Sequence, residues 1–255
     1  MADRQSINNN LHLLYKKLGE TPHEAILRYK NEHPEYKETS MTYAGRLDPM
    51  AEGLLLVLSG EEILEKEKYL DLPKTYEFEM LWGFETDTLD VLGLVQKFEN
   101  RDVQTEKIEE YLKNSIGKFE QIYPVYSSRP VDGKSLFQWA REGRIGEVDI
   151  PKHTVELYEA EHLSRRFISK NDLLEDIKNK VGLVNGDFRQ NEIVSKWEEI
   201  LGETDASQFV IDKIKVKVSS GFYIRQLVSD LAESFYTKAI VFHINRESVG
   251  GYKIS

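Results

Sequence analysis

The chain has no cysteine among its 255 residues, which excludes disulfides, thiol nucleophiles and cysteine-based metal sites. Its six histidines, His12, His23, His33, His153, His162 and His243, are scattered without an H-x-x-x-H spacing, so no metal site is expected. Long apolar runs are missing too. None approaches the roughly 18 residues needed to cross a bilayer, and Met1 to Asn10 lack the apolar centre of a signal peptide. A cytoplasmic protein is the expectation. Excess positive charge is also absent. A net charge of −10 argues against a protein that coats nucleic acid, because affinity for phosphates comes from Lys and Arg. Net charge is an average, however, and a local basic face can persist in an acidic whole.

What is present is ordinary for a globular protein: 40% apolar and 31% charged residues, in a length that suits one large domain or two small ones. One stretch, Thr42 to Gly60, organises the rest. Asp48 sits there between Leu47 and Pro49, after a turn at Ala44 and Gly45, and before the apolar run Leu54 to Leu58. Pro49 biases Asp48 towards an extended conformation. The apolar run, bounded by Gly53 and Gly60, reads as a buried strand. The pattern places a carboxylate on a loop at the edge of a core element. Two readings fit: a turn opener before proline, or a reactive group held by a rigid frame.

Leu11 to Tyr15 reads as a strand followed by Lys16 and Lys17, a pair that suits either a solvated turn or a phosphate. Thr21, Pro22 and Glu24 form a helix start with a capping box, and Ala25, Ile26 and Tyr29 its buried stripe. A charged helix is expected from Glu61 to Leu70. Lys74 to Trp82 alternates as a strand with Tyr76, Phe78 and Met80 on one face. A polar turn follows at Thr86 to Asp90, then a capped helix at Thr105 to Ile116.

Gln121 to Gly146 is a loop-rich excursion that is basic within an acidic protein. It interleaves Tyr123, Tyr126, Phe137 and Trp139 with Arg129, Lys134, Arg141 and Arg144, against only Asp132 and Glu142. Such interleaving suits unpaired RNA, where bases stack and phosphates are neutralised; the aromatics equally suit the packing face of a short helix. His153 to Leu163 and Gln208 to Ser219 read as strands. Between them, two helical stretches, Asp172 to Lys180 and Asn191 to Leu201, suggest a polar surface insertion. A helix from Tyr223 to Phe235 carries Arg225 in its first turn, where a cation opposes the helix dipole and calls for an anion. Ala239 to Ile244 reads as a last strand.

Four stretches, in this order, resemble the TruB family of RNA pseudouridine synthases. Gly45-Arg46-Leu47-Asp48-Pro49-Met50-Ala51-Glu52-Gly53 is similar to its G-x-L-D-P-x-A-x-G. Lys74-Thr75-Tyr76, Gly83, Thr86-Asp87-Thr88, Asp90 and Gly93 resemble its K-x-Y and T-D-T-x-D-x-x-G. The run Gln121 to Ser128, with Gly133-Lys134, Ala140-Arg141 and Gly143, is the third. Gly221-Phe222-Tyr223-Ile224-Arg225 resembles G-x-Y-I-R. Together they span most of the chain outside the Lys170 to Gly202 segment.

The resemblance implies an α+β fold with a central, mostly antiparallel mixed sheet flanked by helices and loops. It implies one catalytic domain over 1–255, with a helical insertion at about 170–202 and no C-terminal RNA-binding extension. The implied reaction is cofactor-free isomerisation of a uridine to pseudouridine in the T loop of tRNA (standard position 55), with no membrane, metal or protein partner. A synthase acting on another RNA, and a non-catalytic RNA-binding or folding module, are the alternatives. The resemblance makes Asp48 the catalytic aspartate, Arg225 its guanidinium partner and Tyr76 the active-site tyrosine. It makes Lys16, Tyr43, Arg46, Arg129, Lys134 and Arg141 candidates for touching RNA. Tyr43 stands where the family usually has histidine, and Arg129 where a lysine is frequent.

Overall fold

The structure, a computed structural model, describes residues 10–99 and 103–254. Of the leader reading of Met1 to Asn10, all but Asn10 lies outside them. Strand β1, Leu11–Lys16, leads to helix α1, Pro22–Glu32, which opens with the expected capping box between Thr21 and Glu24. Strands β2, Met41–Ala44, and β3, Ala51–Ser59, flank the Asp48 loop. From Gly53 to Ser59, β3 is buried on both faces, which is why its apolar run does not alternate. The expected helix from Glu61 divides instead into a tight 3-10 stretch, Gly60–Glu65, and a short α2, Lys66–Leu70.

Strand β4, Lys74–Trp82, alternates as read. The small pair β5, Phe84–Thr86, and β6, Val95–Phe98, encloses the T-D-T turn. Helix α3, Thr105–Asn114, takes Gln104 as its N-cap, with no side-chain cap bond. After β7, Gly117–Ile122, the basic excursion holds the two-residue strands β8, Pro130–Val131, and β9, Lys134–Ser135, and helix α4, Leu136–Arg141. Strand β10 runs over Lys152–Ser169, past the expected end at Leu163. Helices α5, Lys170–Gly182, and α6, Gln190–Glu203, precede β11, Gln208–Val218. Helix α7, Ile224–Ser234, is followed by β12, Ala239–Val249, and β13, Tyr252–Lys253.

The main sheet has the order β1-β3-β12-β4-β11-β10-β7, with β2 added to β3 and β13 to β12. Only the β3–β12 pair is parallel. The mixed, mostly antiparallel sheet of the resemblance is therefore present. One face packs Tyr76, Phe78 and Met80 of β4 and Ile214, Val216 and Val218 of β11 against Ile108 and Leu112 of α3 and Leu227, Val228 and Leu231 of α7.

The other face carries a second core. Leu81, Phe84, Phe209 and Ile211 meet Leu173, Ile177, Ile193 and Trp197 of α5 and α6. A polar surface insertion describes only the outer sides of these helices, because their apolar stripes pack on the sheet's back face. Beyond their reach, the alternating positions of β11 become Lys213, Lys215 and Lys217, paired with Glu77, Glu247 and Glu159. The change from apolar to lysine along one strand marks where the covering layer stops.

Candidate active site

The Asp48 loop is held first by its backbone. Gly45 has φ +81°, a left-handed conformation that glycine adopts without strain. Lys16 is fully buried, and its Nζ donates to the carbonyls of Ala51 at 2.5 Å, Lys17 at 3.1 Å and Pro49 at 3.4 Å. Arg246, also buried, donates to the carbonyls of Leu54 at 2.8 Å, Gly45 at 3.0 Å and Arg46 at 3.3 Å. Gly53, at φ +109°, leaves room for this clamp: a Cβ there would fall 2.4 Å from the Arg246 carbonyl. Lys16 is thus neither solvated nor free to meet a phosphate. Burial pulls its ammonium down to about 8, with Glu20 and Asp48 opposing.

The carboxylate is held from the other side by α7. Arg225 Nη2 lies 2.7 Å and Nε 3.0 Å from the same Asp48 oxygen, Oδ2. No hydrogen bond reaches Oδ1 from the described residues. The Arg225 side chain is 4% exposed and that of Asp48 35%. Arg225 also donates to the carbonyl of Thr88 at 2.6 Å and of Tyr126 at 3.1 Å, and lies 3.8 Å from Asp90. Burial works against its charge, but Asp48 and Asp90 outweigh it and hold the guanidinium firmly protonated. The anion that the helix position called for is therefore Asp48. The ends of β2, β5 and β7 converge through this one side chain.

The T-D-T-x-D turn is wired to supply that arginine. Thr88 Oγ1 donates to Asp90 Oδ1 at 2.7 Å, Thr86 Oγ1 to the Asp90 carbonyl at 2.8 Å, and the Leu94 amide to Asp87 Oδ1 at 2.8 Å. A Cβ on Gly93 would lie 2.4 Å from Thr88 Oγ1, so the spacing of the motif is a packing requirement. Gln121 and Tyr223 exchange two hydrogen bonds, 2.8 and 3.1 Å, between side-chain amide and backbone. These fix the start of α7 to the end of β7.

A cavity of about 300 Å³ opens at the pair, lined by Asp48, Tyr76, Lys74, Tyr223, Arg225 and Arg246 among others. Asp48, Tyr76 and Arg225, predicted from separate motifs, thus share one wall. Lys74 donates to the Leu70 carbonyl, and burial pulls its ammonium down to about 8. A second cavity of about 270 Å³ shares Arg46, Asp48, Ser127, Ser128 and Arg225 with the first.

The remaining expected RNA contacts divide. Arg46 is exposed and lines both cavities, and Arg141 lines the second. Arg141 also donates to the Asp187 carbonyl at 2.6 Å. Tyr43 lines neither cavity and lies under the Lys66 ammonium, 5.5 Å from its ring centre. Arg129 is exposed over the Tyr123 ring. Lys134 is taken up by Glu142 at 2.7 Å. Trp139 is buried between Lys134 and Arg144, at 4.8 and 4.9 Å, and donates to the Val131 carbonyl at 2.9 Å. For that aromatic, the packing reading is the correct one.

Sequence reasoning missed Arg246, because the strand was read to end at Ile244. The polar residue at an inward position of an extended alternating run, Ile244, Arg246, Ser248, was the available signal. Phe188 and Arg189, from the turn between α5 and α6, also line the second cavity and had no sequence signal beyond that turn.

Comparison with known proteins bears on the fold and the family. Solved structures show the fold first: a chain in the crystal structure of a Cbf5-Nop10-Gar1 complex matches 96% of this chain with a TM-score of 0.57 and 18% identity, over 50% of its own length. The fold is shared. The family model for the TruB family pseudouridylate synthase N-terminal domain matches residues 34–181, more than half of the chain. This chain belongs to the TruB family. Relatives named tRNA pseudouridine synthase B include one from Caldicellulosiruptor saccharolyticus, 34% identical over 61% of this chain and 52% of its own length. Another, from Bacillus subtilis, is 27% identical over 96% and 67% respectively. The chain spans about half to two thirds of the length of the relatives it matches.

Proposed function

We propose that this chain isomerises uridine to pseudouridine in tRNA, with the T loop as the target. The observation that carries the proposal is the clasp of Arg225 on one oxygen of a one-third exposed Asp48 at the wall of a cavity that also contains Tyr76. The reaction cuts the C–N glycosidic bond, turns the base and joins its C5 to the sugar, after which the C5 proton leaves. No atom or electron is exchanged with a second reactant, so side chains can perform it alone.

In this reading Arg225 orients Asp48 by holding its Oδ2 with two N–H groups. Its unbonded Oδ1 attacks sugar or base, or takes a ribose proton. Tyr76 stacks on the displaced uracil, with its phenol oxygen near the carbon that loses a proton. Arg46 and Arg141 meet phosphates, which concentrates RNA affinity in one place on an acidic protein. A tRNA substrate places the work in the cytoplasm. Residues 10–254 act as one catalytic domain, with the 170–202 segment built into it. The names borne by the relatives and the match to the family model support the tRNA assignment.

The direct test is tritium release from tRNA transcribed with 5-tritiated uridine. Wild type is expected to release one equivalent per target site, and Asp48→Asn none, while Asp48→Asn still binds the tRNA within a few-fold. Turnover surviving in Asp48→Asn removes the proposed role, and collapse of binding with it assigns Asp48 to structure.

A further inference from the structure

The second cavity is not where the target base is proposed to stack, yet Asp48 and Arg225 line it as they line the first. Four arginines line it, Arg46, Arg141, Arg189 and Arg225, against two aspartates, Asp48 and Asp90. Arg225 pairs with Asp48, Arg189 with Asp87, and Arg141 lies 4.0 Å from Asp187, so of these four it is Arg46 that brings uncompensated positive charge to a protein of net charge −10. Its apolar lining includes Leu92, Phe137 and Phe188. A pocket that combines aromatic rings with guanidinium groups suits a nucleotide: the rings replace the stack a base has lost, and Arg46 is placed to neutralise its phosphate. The Arg46 guanidinium makes no hydrogen bond or ion pair with the described residues.

Phe188 and Arg189 come from the turn between α5 and α6, and that turn is docked firmly. Arg189 pairs with Asp87 of the T-D-T turn at 2.8 Å and lies over the Tyr126 ring at 5.3 Å. Asn185 donates to Glu24 of α1 at 3.1 Å. Leu183 sits so close to Gly19 that a Cβ on that glycine would fall 2.6 Å from it, and the Gly19 amide in turn bonds the Pro49 carbonyl, beside Asp48, at 2.9 Å. Arg189 itself is held at φ +63°, an uncommon conformation for a residue with a side chain. The tip of the helical segment is thus registered against the catalytic loop, the T-D-T turn and the basic excursion together.

We infer that this tip is a substrate-recognition element: the second cavity receives the unpaired nucleotide next to the target uridine, and Phe188 forms part of the surface on which its base stacks. The inference rests on the proposed function. Extruding one base leaves its neighbour without a stacking partner, and the shared wall places a second aromatic pocket within one nucleotide of the first.

The test uses three T-arm stem-loop RNAs: intact, abasic at the nucleotide 5′ of the target, and abasic at the nucleotide 3′ of it. Each is assayed for pseudouridine formation with wild type, Phe188→Ala and Phe188→Leu. On intact RNA, Phe188→Ala is expected to raise KM about ten-fold, the scale of one lost base–aromatic stack, with kcat within two-fold. Phe188→Leu, which keeps the apolar volume, falls between. One of the abasic RNAs should cost wild type a similar factor, and Phe188→Ala should lose nothing further on it. A purely structural Phe188 would instead multiply the two penalties on both abasic RNAs. That outcome, or an unchanged KM on intact RNA, overturns the inference alone. Wild type failing to convert intact RNA overturns the proposed function, and this inference with it.

Discussion

Asp212 and Asp48 each meet an arginine, and they are held in opposite ways. Asp212 is 0% exposed and saturated. Its Oδ1 lies 2.7 Å from His162 Nε2 and 3.0 Å from Arg165 Nε, and its Oδ2 accepts from Trp82 Nε1 at 2.6 Å and Arg165 Nη2 at 2.8 Å. Four contacts bind three neighbouring strands, β4, β10 and β11. Asp48 uses one oxygen for its arginine and leaves the other open beside a cavity. A carboxylate with every lone pair engaged can only hold structure together. One that is oriented through one oxygen, with the other beside a cavity, keeps a lone pair for a substrate.

The largest test of this contrast reverses the two losses. Asp48→Asn should abolish tritium release yet shift unfolding free energy by no more than about 1 kcal/mol, because Asp48 is one-third exposed and the buried Arg225 keeps Asp90 and the carbonyls of Thr88 and Tyr126. Asp212→Asn should leave turnover per folded molecule near wild type and cost about 3–5 kcal/mol, the scale for breaking a buried ion pair. Urea unfolding beside the activity assay reads both. Equal stability losses in the two variants would dissolve the distinction.

The Asp212 cost also depends on pH. Burial raises that carboxyl's pKa, but Arg165, His162 and Trp82 outweigh it and hold it below the ordinary 3.8. A depressed folded pKa contributes stability above the unfolded value and loses it as pH falls through the folded one. The stability gap between wild type and Asp212→Asn should therefore be full near neutrality and narrow below pH 3.8. A gap unchanged by acid would mean that the carboxylate's charge is not what binds the strands.

A smaller contrast lies among the cations. Arg46 has no carboxylate partner among the described residues, while Lys134 is bonded to both oxygens of Glu142 at 2.8 and 2.7 Å. Arg46→Ala should flatten the salt dependence of tRNA binding by about one unit of log–log slope, and Lys134→Ala by less. The reverse order would show that the Glu142 pair opens when RNA binds.

The smallest expected effect concerns Lys16, the buried cation that holds the Asp48 loop by its carbonyls. Its folded pKa of about 8 lies below the unfolded 10.5. Between those values the unfolded chain keeps a proton that the folded chain has released, so this group makes stability rise with pH. Relative to Lys16→Met, wild type should gain stability from pH 8 to pH 10 in denaturant titrations. A flat difference would indicate that the three carbonyls keep Lys16 charged.

The sequence by itself determined the elements whose signals are local. The capping box at Thr21, the uninterrupted apolar run of β3, the alternation of β4 and the motif residues Asp48, Tyr76 and Arg225 were all legible. Each depends on neighbours a few residues away, or on a spacing that backbone geometry imposes. Only the tertiary structure decided what burial does to a charge. Lys16 reads as a surface cation from its neighbours and becomes a loop clamp because β3 and the Asp48 loop close over it. Trp139 suits either a base-stacking ring or a helix packing face in the sequence, and the fold occupies it with two cations of its own excursion. The α5–α6 segment reads as polar decoration, yet its stripes cover a core and its tip reaches the Asp48 loop. These outcomes depend on partners tens to hundreds of residues distant, and no local pattern records which of them a long side chain will meet.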